Sequence, residues 1–313
     1  MAFKEVMIQN QNFRETQNNL SAAGLLHRNG YKLGRTIGEG SYCKVRVAIK
    51  FFGNGHGLKL ACKMISKKRA SVDYVTRFLP REISIIRNLQ HPNITQVFDI
   101  LESSDHVFIF MNLCEKGDLL EYIKRKGALV EFKARTFFRQ LVSAIIYLHN
   151  QDISHRDLKC ENIFITAKDD MVLGDFGFAR RCRDPYTQKR ILSETFCGSA
   201  AYAAPEILQG VAYNPKMYDV WSMGCILYIM LTSSMPFDDF NIVEMLKLQL
   251  ARQFETRRFN LRASAEKLIF HMLEPDVTRR ATASQIAQSQ WLREHFYSNL
   301  HAITPANYSA SIG

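Results

Sequence analysis

A change of pattern near Leu113 divides this chain into two parts that must fold in different ways. Before it, short apolar runs of strand length follow one another, and Asn54-Gly55 between two of them is a typical hairpin turn. After it, apolar residues recur every three or four positions, as from Ala134 to Leu148, which predicts long buried helices. The sequence therefore predicts an α+β fold of two lobes, a small antiparallel sheet of five strands followed by a larger, mainly helical part.

These patterns also predict where each part begins and ends. The Asn- and Gln-rich start has no sustained period, so we expect a flexible arm over residues 1–30 and order from Tyr31. The expected parts after it are an N-lobe at 31–110 with one inserted helix around Tyr74–Leu89, a hinge at 111–114, a C-lobe at 115–292 and a short tail at 293–313.

Composition excludes several classes of protein. No run of about eighteen apolar residues occurs, and the first residues lack a signal pattern, so we expect no membrane partner. Seven scattered cysteines without a CxxC pair favour a reduced intracellular compartment, with neither a zinc site nor a disulfide framework. We expect a cytoplasmic location, with a nuclear pool left open. The net charge of +11 is dispersed and is interpreted as a solvated surface, with polyanion binding as the alternative.

One short segment carries the densest set of reactive side chains. Residues 155–162 read HRDLKCEN, and DFG follows at 175–177. In this spacing Asp157 can orient an incoming hydroxyl, and Lys159 can hold a transferred phosphoryl group. An amide and a second carboxylate, which can hold magnesium, are supplied by Asn162 and Asp175. Because phosphoryl transfer depends mainly on positioning and charge neutralisation, the spacing itself predicts that chemistry.

Two upstream patterns point to the same chemistry. The sequence GEGSYCKV at 38–45 lies between two predicted strands, and its glycines let backbone amides approach phosphates. A dinucleotide-binding loop would instead be followed by a helix. Lys63 ends the next predicted strand, where a buried ammonium needs a partner, and Glu82 on the inserted helix is the expected one. The alternative is that both residues lie on the surface.

The order of these motifs resembles a known signature set. Together with APE at 204–206, DVWSMG at 219–224 and Arg280, they are similar to the eukaryotic protein kinases over residues 31–292. The strings HRDLKCEN, FLPREISI (78–85) and ETFCGSAAYAAPEIL (194–208) resemble the testis-specific serine/threonine kinase family, in the calcium/calmodulin-dependent kinase-like group. This resemblance implies a bilobal protein kinase fold.

It also implies an activity and a set of site residues. The expected reaction transfers the γ-phosphoryl group of ATP, with two magnesium ions, to serine or threonine hydroxyls of protein substrates. Asp157 and Lys159 are the expected catalytic residues, and Asn162 and Asp175 the expected metal ligands. The expected ATP-binding residues are Ile37, Gly38, Gly40, Val45, Ala61, Lys63, Glu82, Met111, Asn112, Cys114 and Asp118.

The resemblance further implies regulation through the segment before Pro205. Thr195 is the expected activating phosphorylation site, with Arg156 and Arg180 as the cations that would clamp its phosphate. Ser199 is the less favoured switch, because its position resembles a hydroxyl that contacts the catalytic aspartate and lysine. Expected partners are an upstream kinase, unless the chain phosphorylates itself, and a chaperone. A role in male germ cell development is implied by the family.

Two acidic residues bear on substrate choice. Asp118 and Glu161 are expected at the mouth of the cleft, where two carboxylates would attract an arginine three residues before the acceptor. Their alternative role is confined to the nucleotide or to helix capping. The position that carries a further acid in some basophilic kinases holds Ile229 here, so a paired-arginine requirement is not expected.

Other positions are expected to be architectural. Asp219 should accept hydrogen bonds from the backbone of the 155–162 loop, and Glu206 should pair with Arg280. Cys43 replaces a glycine of the usual loop pattern, and Gly174 is expected to leave room behind the nucleotide.

Two other functions compete with an active protein kinase. A pseudokinase scaffold would require the loss of one of three residues that are all present: Lys63, Asp157 or Asp175. A small-molecule phosphotransferase of the same fold is disfavoured by the extended segment 193–206, which suits a peptide substrate.

Overall fold

The computed structural model describes residues 21–294, apart from residues 53–55, 185 and 195–197. Thr195 and the Asn54-Gly55 turn therefore lie outside the described residues. The structure confirms the expected α+β architecture, a five-stranded sheet followed by a helical lobe.

The first lobe is built on one antiparallel sheet. Its strands are β1 (Tyr31–Glu39), β2 (Cys43–Phe51), β3 (Gly57–Ser66), β4 (Val97–Glu102) and β5 (His106–Asn112). They lie in the order β1-β2-β3-β5-β4, and β2 pairs directly with β3 as the predicted hairpin. The central position of β3 explains its apolar sequence, since both of its edges are hydrogen-bonded.

Both faces of β5 are buried, because successive side chains point to opposite sides of a strand. Val107 and Ile109 belong to the main hydrophobic core, which continues into the helical lobe. Phe108 and Phe110 belong to a second core on the other face of the sheet. The sheet therefore requires a cover on each side.

A short helix covers the second core. Helix α1 (Ala22–Arg28) begins after Ser21, whose hydroxyl accepts a hydrogen bond from the Gly24 N–H, and it buries Leu25 and Leu26. Here the structure differs from the flexible arm that the sequence predicts for residues 1–30, and residues 1–20 lie outside the described chain. A helix this short gives no periodic signal, and its stability comes from the sheet against which it packs.

The helix inserted between β3 and β4 is found where it was predicted. It begins with a π-helical turn over Tyr74–Phe78 and continues as α2 (Leu79–Ile86). Pro80 follows directly on the π-helical turn, and because it has no N–H it interrupts the hydrogen-bond ladder between the two parts of the helix. Glu82 lies on the buried face of this helix, which directs its carboxylate towards the sheet.

The second lobe is mainly helical. Its helices are α3 (Leu119–Lys126), α4 (Glu131–Asn150), α5 (Pro205–Leu208), α6 (Pro215–Thr232), α7 (Ile242–Leu250), α8 (Ala263–Met272), α9 (Ala283–Ala287) and α10 (Gln290–Arg293). Helix α6 is buried on nearly all sides, and α4 and α8 pack against it. None of the described helices is both long and apolar enough to cross a membrane.

Two pairs of short strands hold the motif-bearing loops. Strand β6 (Ile153–Ser154) pairs with β9 (Arg180–Arg181), and β7 (Ile163–Ile165) pairs with β8 (Met171–Leu173). The HRDLKCEN loop connects β6 to β7, and the DFG segment follows β8. Both loops are thereby fixed next to each other where the two lobes meet.

Candidate active site

Lys63 lies on β3 between Val45 of β2 and Ile109 of β5. Its Nζ is 2.9 Å from Glu82 Oε1 and 2.9 Å from Asp175 Oδ1. Only 14% of the Lys63 side chain and 3% of the Glu82 side chain are exposed, so carboxylates replace most of the water around the ammonium. The structure thus brings Lys63 and Glu82 together as predicted, and it adds Asp175.

The charges of these three groups support one another. Burial by itself disfavours the charged form of Lys63, but the carboxylates of Glu82 and Asp175 outweigh it and hold its pKa well above the ordinary value. The Lys63 ammonium in turn lowers the pKa of Asp175. Tyr74 donates to Glu82 Oε2 at 3.2 Å, so both oxygens of that carboxylate are engaged. The cation is therefore fixed, and Asp175 remains half exposed beside it.

The HRDLKCEN loop brings together the other three expected residues. Asn162 donates from Nδ2 to Asp157 Oδ2 at 2.9 Å and to the Asp157 carbonyl oxygen at 2.8 Å. Lys159 Nζ lies 3.0 Å from Asp157 Oδ2 and 3.3 Å from Ser199 Oγ. Asp157 is thus oriented by an amide and an ammonium, and Lys159 links it to the expected loop hydroxyl.

Asp219 of α6 holds this loop in place, as expected. Its carboxylate accepts hydrogen bonds from the backbone N–H groups of His155 and Arg156, at 3.0 and 2.8 Å, and from the Ser154 hydroxyl at 2.8 Å. Burial opposes ionisation of Asp219, but His149, 2.9 Å away, and then the Arg156 N–H prevail and lower its pKa. Arg156 has φ +63°, a left-handed conformation that costs a non-glycine residue about 1 kcal/mol, and the anchored backbone offsets this cost.

The DFG segment is held by the same loop. His155 Nε2 lies 2.9 Å from the Gly174 carbonyl oxygen, and the His155 ring contacts Phe176 edge-on. A Cβ added to Gly174 would lie 2.8 Å from Thr95 Oγ1 and 2.8 Å from the Phe164 ring. The expected room behind the nucleotide is therefore already filled at this position, and glycine is required there for close packing.

The glycine-rich hairpin, which connects β1 to β2, lies next to Lys63. Gly38 pairs with Val45, and the Gly40 N–H donates to the Cys43 carbonyl oxygen at 2.9 Å, which closes the turn. A Cβ on Gly40 would lie 3.1 Å from Cys43 Sγ, so a glycine at 40 accommodates the cysteine. Ile37, immediately before the first glycine, is exposed.

The segment that joins the two lobes begins at the end of β5, next to β3. Ala61 pairs with Met111 across these strands. The Asn112 side chain accepts a hydrogen bond from the Gln96 N–H at 2.9 Å, so it supports the backbone before β4. Cys114 is half buried, and burial followed by the nearby Glu115 carboxylate raises its pKa to about 11. The thiol is therefore neutral at physiological pH.

The two acidic residues expected at the cleft mouth have defined contacts. Asp118 caps α3, accepting at Oδ1 from the Glu121 N–H at 2.9 Å. Glu161 accepts at Oε2 from the Tyr202 hydroxyl at 3.4 Å. Asp118 pairs through its backbone with Phe164, three residues after Glu161, and α3 contacts the turn at 160–162, so the two residues lie in one neighbourhood. Helix capping uses one Asp118 oxygen only.

Four arginines lie within electrostatic range of one another near the segment that follows DFG. Burial and the neighbouring cations of Arg180, Arg156 and Arg77 lower the pKa of Arg81. Arg156 also donates to the Phe178 carbonyl oxygen at 2.9 Å and to the buried Ser193 hydroxyl at 3.4 Å. Neighbouring like charges repel, so an anion close to these arginines would be favoured.

Farther along, the segment that follows DFG contacts the HRDLKCEN loop again at Gly198. Its φ is +91°, and a Cβ there would lie 3.0 Å from Asp157 Oδ1 and 2.9 Å from the Tyr218 hydroxyl oxygen. Only glycine allows this close approach.

Several residues of this site are missing from the sequence prediction. Arg77 and Arg81 are four positions apart on the inserted helix, and that spacing is a signal for one charged face. Tyr74, Thr95 and Tyr202 carry no comparable signal, because their roles depend on contacts with residues distant in the chain.

The donor set fits a divalent cation and a nucleoside triphosphate. Asp175 offers a half-exposed carboxylate. Because the Asn162 amide nitrogen is bonded to Asp157, the oxygen of that amide faces the other way and can act as a second ligand. Lys63 supplies a fixed cation for phosphate oxygens.

Comparison with known proteins agrees with this geometry. Residues 31–292 match the protein kinase domain family. The chain is 47% identical over 273 residues to testis-specific serine/threonine-protein kinase 1 of Mus musculus, covering 87% of this chain and 74% of that protein. It is 44% identical over 265 residues to testis-specific serine/threonine-protein kinase 3 of Homo sapiens, covering 84% and 96%. For testis-specific serine/threonine-protein kinase 4 of Homo sapiens the identity is 39% over 279 residues, covering 86% and 84%. The chain therefore belongs to the protein kinase family, among the serine/threonine kinases.

Proposed function

We propose that this protein is a catalytically active kinase that transfers the γ-phosphoryl group of ATP to serine and threonine hydroxyls of proteins. The observation that carries the proposal is the Lys63 ammonium, held 2.9 Å from both Glu82 and Asp175. This arrangement joins the inserted helix, the sheet and the DFG segment around one cation. It is the assembled form that phosphoryl transfer requires.

Each side chain has a role that its contacts support. Lys63, aimed by Glu82, binds nucleotide phosphates. Asp157 accepts a hydrogen bond from the substrate hydroxyl and takes its proton late in the transfer. Lys159 places positive charge at the transferred phosphoryl group. When bound, two magnesium ions neutralise phosphate charge, with Asn162 and Asp175 as their protein ligands. The remaining nucleotide contacts are assigned to Ile37, Gly38, Gly40, Val45, Ala61, Met111, Asn112, Cys114 and Asp118.

The competing function is a catalytically silent scaffold of the same fold. Against it stand the oriented Asp157 and the compensated Lys63, because a scaffold has no need of either charge in a fixed position. Purified protein with magnesium-ATP on a degenerate peptide array separates the two functions. Asp157→Asn is the matched control, since it keeps the size of the side chain and removes its charge. Phosphorylation by the wild type alone supports the kinase, and equal signals from both proteins contradict it.

We further propose that phosphorylation of Thr195 activates the enzyme. A phosphate there adds nearly two negative charges, which the cluster of Arg77, Arg81, Arg156 and Arg180 would neutralise. Activity of protein with and without phosphate on Thr195, assigned by mass spectrometry, tests this regulation. Thr195→Ala should abolish the difference, and Arg81→Gln should reduce it. Equal activity of both forms would exclude the switch.

We propose a substrate preference for arginine, then lysine, three residues before the acceptor. It is supported by the proximity of the Asp118 and Glu161 carboxylates and by the Asp118 oxygen that capping leaves unused. Peptides with Arg or Ala at that position, tested on wild type and Glu161→Gln, measure the preference. A ratio near one for the wild type, or a ratio unchanged by the mutation, would refute the acidic pocket.

Cellular setting completes the proposal. We propose a cytoplasmic enzyme, with a nuclear pool left open, and a role in male germ cells. The proposed partners are a chaperone and an upstream kinase, with autophosphorylation as the alternative. The names of the relatives support the tissue. Incubation of purified wild type and Asp157→Asn with ATP distinguishes self-phosphorylation on Thr195 from the need for another kinase.

A further inference from the structure

The Tyr202 hydroxyl lies between two groups of the catalytic loop. It accepts a hydrogen bond from the Cys160 N–H at 3.3 Å and donates one to Glu161 Oε2 at 3.4 Å. A hydroxyl can do both at once, since it has one donor hydrogen and two acceptor lone pairs. The three groups therefore form a continuous chain from backbone amide to carboxylate.

One end of this chain is the Cys160 N–H, a donor that any residue except proline would supply at position 160. Proline has no N–H, so a tyrosine hydroxyl next to it would lose its donor. Cys160 is fully buried and begins a 3₁₀ turn over Cys160–Asn162. Its N–H has no carbonyl partner within the turn, and Tyr202 satisfies it.

Tyr202 is itself held firmly. Its ring is 5% exposed, and its carbonyl oxygen accepts from the Ser222 hydroxyl of α6 at 3.2 Å. The next carbonyl, of Ala203, accepts from Gln249 of α7 at 3.0 Å. Burial, followed by the Cys160 thiol and the Glu161 carboxylate, raises the pKa of Tyr202, so the hydroxyl keeps its proton and stays a donor. These contacts hold Tyr202 in place beside Glu161.

We propose that Tyr202 is a specificity-determining positioning residue, whose hydroxyl holds the Glu161 carboxylate by Oε2 so that Oε1 receives the basic side chain of a peptide substrate. This inference rests on the acidic pocket proposed above. A carboxylate fixed in advance pays less ordering entropy when it binds a guanidinium fork. Without the hydroxyl, Glu161 rotates freely and selects arginine less strongly.

The test compares kcat/KM for the Arg and Ala peptides in several variants. Tyr202→Phe should lower the Arg/Ala ratio about three- to tenfold, the net worth of an ordinary hydrogen bond. Cys160→Pro removes only the N–H that orients the Tyr202 hydroxyl, so it should lower the ratio by less. The loss should fall on KM for the Arg peptide. Proline fits at 160, since Lys159 before it is extended with φ −158° and ψ 163° and the position starts a turn. Tyr228→Phe, which removes a hydroxyl bonded to the Glu255 carbonyl oxygen on the far side of α6, should leave the ratio unchanged.

The double variant Tyr202→Phe/Glu161→Gln decides the mechanism. If the hydroxyl acts through Glu161, its ratio equals that of Glu161→Gln alone. If Tyr202→Phe keeps the wild-type Arg/Ala ratio while Glu161→Gln lowers it, the positioning role of Tyr202 is wrong and the acidic pocket stands. No effect of Glu161→Gln overturns both, and an unfolding midpoint measured for each variant identifies losses caused by misfolding.

Discussion

Two basic residues of this molecule each pair with acidic side chains, but the two pairs have different roles. Arg280 in the C-lobe donates to both oxygens of Glu206, at 2.7 and 2.9 Å, and to three backbone carbonyl oxygens. Its five N–H donors are all used, and its guanidinium stacks over the Trp221 ring. Lys63 is instead shared between Glu82 on a helix and Asp175 on a loop.

The difference separates architecture from function. The Arg280 pair is closed, because every donor has a partner inside one lobe and its side chain has no exposed area. The Lys63 pair is open on the Asp175 side, where 47% of the side chain is exposed. A closed pair stabilises the fold, whereas an open pair can exchange partners with a ligand. We expect mutations to separate these roles.

The largest expected effect is on catalysis. Lys63→Met should lower the phosphotransfer rate by about 10²–10⁴-fold, because the phosphates lose their cation. The unfolding free energy should fall by less than in an Arg280 variant, because the buried Glu82 keeps the Tyr74 hydroxyl and the half-exposed Asp175 gains water. Steady-state kinetics and urea unfolding measure the two quantities. Lys59→Met, an exposed lysine on the same strand, is the control and should change neither. A stability loss in Lys63→Met as large as that of an Arg280 variant would break the comparison.

Arg280→Met should have the converse effect. Removing the guanidinium leaves the buried Glu206 carboxylate without its partner, which typically costs about 3–5 kcal/mol of unfolding free energy. Arg280→Lys should lie between it and the wild type, since an ammonium keeps the charge but cannot form the fork. Urea unfolding gives the values. Restored stability in Arg280→Met/Glu206→Gln would confirm that the unpaired charge causes the loss.

Glu82→Gln should give a smaller effect on the open pair. Lys63 keeps Asp175 but loses the anion that aims it, so we expect about a tenfold lower rate with nearly unchanged unfolding. Glu102→Gln is the matched control, because Glu102 is 63% exposed in its pair with Lys67 and loss of its charge should cost under about 0.5 kcal/mol. A full rate in Glu82→Gln would show that Asp175 alone positions the lysine.

The smallest effect concerns acid. Lys63 lowers the pKa of Asp175, so this attraction stabilises the fold above the unfolded pKa of about 3.9 and is lost as the pH falls through the folded value. Screening of the half-exposed carboxylate limits it to less than about 1 kcal/mol. The stability difference between wild type and Lys63→Met should decline below about pH 4, and a constant difference would exclude this origin.

Much of this organisation is predictable from the sequence, because the relevant patterns are local. Strand-length runs, the hairpin turn and the three- to four-residue period of α4 give the lobes and their order. Motif spacing gives Asp157, Lys159, Asn162 and Asp175, and burial arguments give the partner of Lys63.

What the sequence does not reveal depends on long-range packing. The second carboxylate on Lys63 comes from a residue 112 positions away. The space beside Gly174 is filled by Thr95 and Phe164, which no local pattern relates to it. Helix α1 is missed for the same reason, since its two buried leucines acquire meaning only against the outer face of the sheet.

That helix has a consequence for the dynamics of the N-lobe. The buried members of the second core all come from residues 25–110, so it can open without disturbing the C-lobe. Amide hydrogen exchange of β1 and β2 should therefore follow a local opening equilibrium, set in part by Leu25 and Leu26. The strands that carry the glycine hairpin and Lys63 would then have hydrogen-exchange protection that depends in part on seven residues preceding the matched domain.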